Sequence, residues 1–157
     1  MTDTTMLLTL AAVGANGLLA GASLDQSIKQ LPARGRIGVV AYSRYSQAAD
    51  LANGVAWYAT LGVGTAVLSL VAAGVGLGQN PDRSATAAMI VLIVTTVLHS
   101  AATTRAAPTN FSQRRAGDDE AALTTIFDRF TRWQTVRVIL QVASLVAALW
   151  TAAALAS

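Results

Sequence analysis

Four stretches of this 157-residue chain run for about twenty residues or longer without a Lys, Arg, Asp or Glu. An α-helix rises roughly 1.5 Å per residue, so each stretch is long enough to cross a hydrocarbon layer about 30 Å thick. They cover about residues 6–24, 51–77, 85–104 and 134–156, the last being free of charge from Val138 with a polar lead-in reaching back to Gln134. No water is available at membrane depth, so each must satisfy its own backbone hydrogen bonds, and runs of this length do so as helices. The sequence therefore predicts an all-α fold, an integral membrane four-helix bundle forming a single membrane domain over residues 1–157, without an internal repeat. Composition agrees: 54% of residues are apolar and 12% charged, about half the roughly 25% usual in globular chains.

The first span has a competing reading, because Ala20-Gly21-Ala22 before Ser23 looks like a signal-peptidase site. Secretory signals begin with positive charge, whereas Met1 to Thr5 carries Asp3 and no Lys or Arg, so a retained helix is expected. Orientation follows from the cations. Lys29, Arg34, Arg36 and Arg44 lie between spans one and two, and Arg105, Arg114, Arg115, Arg129, Arg132 and Arg137 between three and four. Ten of the eleven cations thus share one side, leaving only Arg83 opposite, and the positive-inside rule places both termini outside the cytoplasm of a multi-pass cell-membrane protein.

The two basic segments carry short amphipathic helices leading into spans two and four. In the first, Pro32-Ala33-Arg34-Gly35 breaks the chain. Ile37, Val40, Ala41, Tyr45, Ala48 and Ala52 then recur at helical spacing, opposite Arg44, Gln47 and Asp50. In the second, Asp118, Asp119 and Glu120 suit a helix N-terminus, and Leu123, Ile126, Phe127 and Phe130 form an apolar stripe on a helix able to run straight into span four. Gly14, Gly17, Gly21, Gly62, Gly64, Gly74 and Gly76 punctuate the first two spans, and small residues at such spacing read as close packing, within the bundle or between subunits.

With no Cys, one His and one Glu, the chain lacks the ligands for thiolate, three-His or carboxylate-bridged metal sites, and no cofactor is implied. The net charge of +3 comes from arginines between apolar runs, not from a solvated basic face, so nucleic acid is not an expected partner.

Polar side chains inside the spans are more informative, because holding them in hydrocarbon costs free energy unless they face a cavity or a partner. Asn16 lies in the charged-side half of span one, and Asn53, Trp57 and Tyr58 open span two. Thr96, His99 and Thr103 share a stripe of span three, and Arg137, Gln141 and Ser144 repeat at i, i+4, i+7 on span four. Counting helical rise puts Trp57, His99, Arg137 and Gln141 within about 10 Å of one membrane face, a candidate pocket. Each has a structural alternative. His99 and Asn16 suit interhelical hydrogen bonds, Arg137 can snorkel to headgroups, and Trp57, Tyr58, Phe130 and Trp133 suit an interfacial aromatic belt.

Four motifs add a resemblance. Gly17-Leu18-Leu19-Ala20-Gly21, Leu31-Pro32-Ala33, Pro108-Thr109-Asn110 and Arg132-Trp133-Gln134-Thr135-Val136-Arg137, spread over nearly the whole chain, resemble a domain-of-unknown-function family of small four-helix membrane proteins that includes the anthrone oxygenases. The resemblance implies an enzyme that adds dioxygen to a tricyclic polyphenol without metal or flavin, oxidising an anthrone to an anthraquinone. Asn110, Trp133 and Arg137 match the family motifs by position, whereas His99 rests on its intramembrane placement. In that reading His99 is the catalytic base and Arg137 stabilises the substrate anion, while Asn110, Asn16 or Gln141 orients the ketone oxygen and Trp57, Phe130 and Trp133 flank the rings. Two other readings stay open: a non-catalytic carrier for a lipophilic aromatic or quinone-like molecule, and an accessory subunit of a membrane assembly. Expected partners are that small molecule and membrane lipid, and the glycine faces admit a homo-oligomer.

Overall fold

The computed structural model describes residues 3–157. Helix α1 (Asp3–Asp25) passes through a π-helical turn at Gln26–Gln30 into α2 (Leu31–Ile37). Helix α3 (Val39–Ala48) passes through a second such turn at Ala49–Asn53 into α4 (Gly54–Leu77). The long helix α5 (Arg83–Phe111) and the single turn α6 (Gln113–Ala116) follow, and α7 (Glu120–Ala156) closes the chain. The described residues contain no strand. Helix α1 packs on α4 and α7, and α5 on α4 and most extensively on α7, so the long helices form an up-down-up-down ring.

Four continuous helical stretches, 3–37, 39–77, 83–116 and 120–156, are long and apolar enough to cross a membrane. Their outer faces are apolar and their interior is partly polar, the pattern of a chain in lipid. Leu7, Leu18, Val63, Val67, Val94, Ile139 and Val146 face outward, while Thr5, Thr9, Asn16, Ser69, Thr95, Ser144 and Thr151 are buried. Hydrocarbon provides no hydrophobic drive for aliphatics to turn inward, so small and polar groups take the interior. Helix α7 is 37 residues long, about 55 Å of rise, so its first turns project beyond the hydrocarbon at the end that carries ten of the eleven cations, here called the charged end.

Local chemistry sets the boundaries. Asp119 caps α7, accepting from the amides of Ala121 and Ala122 at 3.0 Å, and Asp82 caps α5 through the Ala85 amide at 2.7 Å. As the stripe predicts, Leu123, Phe127 and Phe130 are buried, joining Leu31, Tyr42 and Ala106 in a cluster under α2 and α3. Two expectations change. The chain does not break at Pro32, which follows closely on the π-helical turn within the continuous helical stretch 3–37; it breaks at Gly38, whose φ of 84° and ψ of 150° suit glycine alone. Helix α3 is also turned over: Ile37, Ala41, Tyr45 and Ala48 are exposed, and Tyr42, Ser43, Ser46 and Asp50 are buried.

The glycines divide as well. A Cβ on Gly76 would run into the Met89 thioether, so the helices approach closely there, whereas Gly14, Gly21, Gly62, Gly64 and Gly74 have open space around them.

Candidate functional site

Polar residues from all four long helices meet toward the charged end in two tiers. The deeper tier is a closed network. Gln141 Nε2 donates to Asn16 Oδ1 at 2.9 Å and to the Asn16 carbonyl at 3.3 Å, and Asn16 Nδ2 donates to Ser69 Oγ and to the Ala12 carbonyl at 2.8 Å each. Asn16, Ser69 and Gln141 are all buried, and their hydrogen bonds tie α1, α4 and α7 together. Two of the predicted ligand-binding residues thus satisfy each other.

The outer tier surrounds Arg137. Its Nε donates to Thr103 Oγ1 at 3.1 Å and its Nη1 to Gln134 Oε1 at 2.8 Å, while Gln134 Nε2 reaches the Ser23 carbonyl on α1 at 3.3 Å. The ion pairs among the described residues are Lys29–Asp25, Arg34–Asp128 and Arg44–Asp118; none involves Arg137. This guanidinium is oriented by neutral oxygens and has no ion-pair partner among the described residues. His99 is buried beside it, with Nδ1 3.1 Å from the Arg137 carbonyl oxygen. A carbonyl only accepts, so Nδ1 carries the proton of this contact.

Arg137 borders a cavity of about 220 Å³ at the charged end, whose polar wall is completed by Ser23, Gln26, Asp50, Tyr58 and Asn110, with Leu51, Val55, Phe111 and Phe130 on its apolar side. Asp50 is buried and accepts from Ser46 Oγ at 2.9 Å; Gln113 Nε2 donates to that same hydroxyl at 3.3 Å and to Asn110 Oδ1 at 2.8 Å. Ser46 and Gln113 thus hold two polar groups of the cavity wall, Asp50 and Asn110. Asn110 Nδ2 has no partner among the described residues and remains available as a donor.

The predicted residues therefore separate. Arg137, Asn110 and Phe130 border the cavity together. His99 stands behind Arg137 and does not border it, and Asn16 and Gln141 form the deeper network. Trp57 is 58% exposed on the outer face of α4, while its neighbour Tyr58 turns inward. Trp133 does not border the cavity; it is half-buried against the cluster around Phe127 and Phe130 and lines two outer grooves. Asp50, expected on the solvated face of its helix, is buried at the cavity; the spacing of Tyr42, Ser46 and Asp50, four residues apart, is the signal that marks the inward face of α3. No family model, curated protein or solved structure matches the chain.

Proposed function

We propose that this protein binds a small lipophilic molecule bearing an acidic or anionic oxygen in the cavity beside Arg137. The observation that carries this reading is the guanidinium itself: a desolvated cation without a carboxylate partner, oriented by Thr103 and Gln134 on the edge of a partly apolar cavity. Such a charge in a membrane bundle is costly and marks a functional site. At about 220 Å³ the cavity falls below the roughly 300–1,000 Å³ of drug-sized sites, so a one- or two-ring ligand fits and a tricycle requires the cavity to widen. Tryptophan fluorescence titration of purified protein with phenol, 1-naphthol and anthrone tests this. Saturable binding of at least one is expected; absence of saturation across the series removes the proposal.

One observation favours a catalytic version, the anthrone oxygenase reading raised by the sequence motifs. A carboxyl, Asp50, and a cation, Arg137, border the same cavity, which are the two groups that forming a phenolate-like carbanion demands. Asp50 takes the role of base in this version, since His99 does not border the cavity. The base removes a proton from the ring methylene, Arg137 stabilises the anion's oxygen, the anion reduces dioxygen and is captured as a hydroperoxide, and loss of water gives the quinone. Anthrone and one dioxygen thereby become anthraquinone and one water. Consumption of one dioxygen per anthrone, slowed in Asp50→Asn, is the expected result; binding without oxygen uptake leaves the carrier reading alone.

The cation distribution supports a charged end facing the cytoplasm, with both termini outside. A C-terminal alkaline phosphatase fusion is expected to be active and a C-terminal green fluorescent protein fusion dark; the opposite pair of results reverses the topology.

A further inference from the structure

We propose that the outer groove between α5 and α7 is a binding site for the headgroup and first acyl segment of an anionic phospholipid. This site lies outside the bundle and is independent of the cavity beside Arg137. The groove has two halves that share Trp133 and Val136. One half, about 550 Å³, is a furrow over Ala101 and Ala102 walled by Leu98, Ile139 and Leu140, with Arg105 among its lining residues. The other, about 660 Å³, is an open hollow on the face of α7 alone, from Thr125 to Val136, and carries Arg129 and Arg132. An aliphatic furrow thus continues into a basic pocket, with an indole where they meet.

The three cations are level with one another. His99 meets Arg137 and Ser84 meets Trp150, at 3.1 Å in each case, which fixes the antiparallel register of α5 on α7. That register sets Arg105 opposite about Phe130, so Arg129 and Arg132 lie within about one turn of it. Leu98 and Ile139 are each seven residues deeper than the nearest arginine, about 10 Å along their helices, which is where an acyl chain descends when its phosphate is held at the arginines.

Charge complementarity names the occupant. Arg105, Arg129 and Arg132 are exposed and enter no ion pair among the described residues. The one carboxylate on the groove, Asp128, is engaged by Arg34 at 2.7 Å and does not neutralise them. Guanidinium groups set at one level, within about one turn of each other at the edge of an outward-facing furrow, match a phosphodiester, whose oxygens take paired N–H donors. Basic pockets between transmembrane helices at the positively charged side select anionic lipids in this way. A zwitterionic headgroup brings its own cation into the cluster and is disfavoured.

The test is native mass spectrometry of the full chain in mild detergent, titrated with phosphatidylglycerol and, separately, with phosphatidylcholine of the same acyl chains. Preferential retention of phosphatidylglycerol by at least tenfold is expected, falling to the phosphatidylcholine level in Arg105→Gln/Arg132→Gln. Arg83→Gln, at the opposite end of the bundle, leaves the preference intact. Melting temperatures of all variants in detergent identify any loss that comes from misfolding, and all are expected to match the parent because these side chains are exposed. Equal retention of the two lipids, or a preference unchanged in the double variant, overturns the proposal. So does glycerol 3-phosphate binding as tightly as the whole lipid, which assigns a soluble phosphate site, or a dimer that the double variant dissolves, which assigns the groove to a second copy of the chain.

Discussion

Phe127→Ala is expected to lower the stability of the solubilised protein by about 3–5 kcal/mol, the usual cost of deleting a buried aromatic ring. Phe127 has no exposed surface, packs its ring edge-to-face on Tyr42 with centroids 5.0 Å apart, and shares a cluster with Leu31, Ala106, Leu123 and Phe130. This cluster fastens α2 and α3 to α5 and α7 at the end of the bundle that projects toward water. Burial there gains from the hydrophobic effect, at roughly 25 cal/mol per Å² of apolar surface. The other buried cluster, formed by Ala73, Ala85, Met89, Leu92, Ala147 and Ala148, lies among the lipid-crossing segments and is held by close packing of small groups. Met89→Ala is therefore expected to cost less than Phe127→Ala, despite Met89 being equally buried. Both are read as shifts in apparent melting temperature in detergent, and a larger loss for Met89→Ala contradicts the division of the bundle into a water-driven end and a lipid-packed middle.

The legibility of the sequence follows the same division. The spans could be read because lipid imposes a single demand, a long run without charge, and each of the four runs became a helix. The α7 cap and stripe could be read because Asp119, Leu123, Phe127 and Phe130 sit in an ordinary helix near water, where apolar residues turn inward. Helix α3 obeys neither rule. Its apolar Ala41 and Tyr45 turn outward beside the exposed Arg44, and the hydroxyls of Ser43 and Ser46 turn inward to Gln113. Then the π-helical turn at Ala49–Asn53 intervenes. A π turn inserts one residue into the helical register and rotates everything beyond it by about 100°. Regular spacing carried from α3 into α4 is therefore off by one position, which is the difference between Trp57, facing out, and Tyr58, facing the cavity. The polar layer was legible as a layer, but which amide would pair with which was not: Asn16 and Gln141 could equally have faced a ligand, and only their meeting at 2.9 Å commits them to each other.

That pairing makes Asn16 the natural control for Arg137→Gln, which is expected to weaken binding of the phenolic ligand by about 10- to 100-fold, since a charge-assisted hydrogen bond contributes about 1.5–3 kcal/mol. Its effect on stability should be small, within about 1 kcal/mol. The substitution gives up the donors to Thr103 and Gln134, yet it also removes a desolvated charge with no carboxylate to balance it, and these two consequences oppose each other. Arg137→Lys keeps the charge but cannot reach Thr103 and Gln134 in the same planar fork, so an intermediate affinity is expected. Asn16→Ala should behave in the opposite sense. It leaves Gln141 and Ser69 buried without their partner, costing about 1–3 kcal/mol of stability, while ligand affinity stays unchanged because Asn16 does not border the cavity. The two variants are compared by melting temperature and by fluorescence titration on the same preparations. If Arg137→Gln destabilises the protein as severely as Asn16→Ala and leaves the titration unaltered, the guanidinium serves the bundle alone and the cavity is not an anion site.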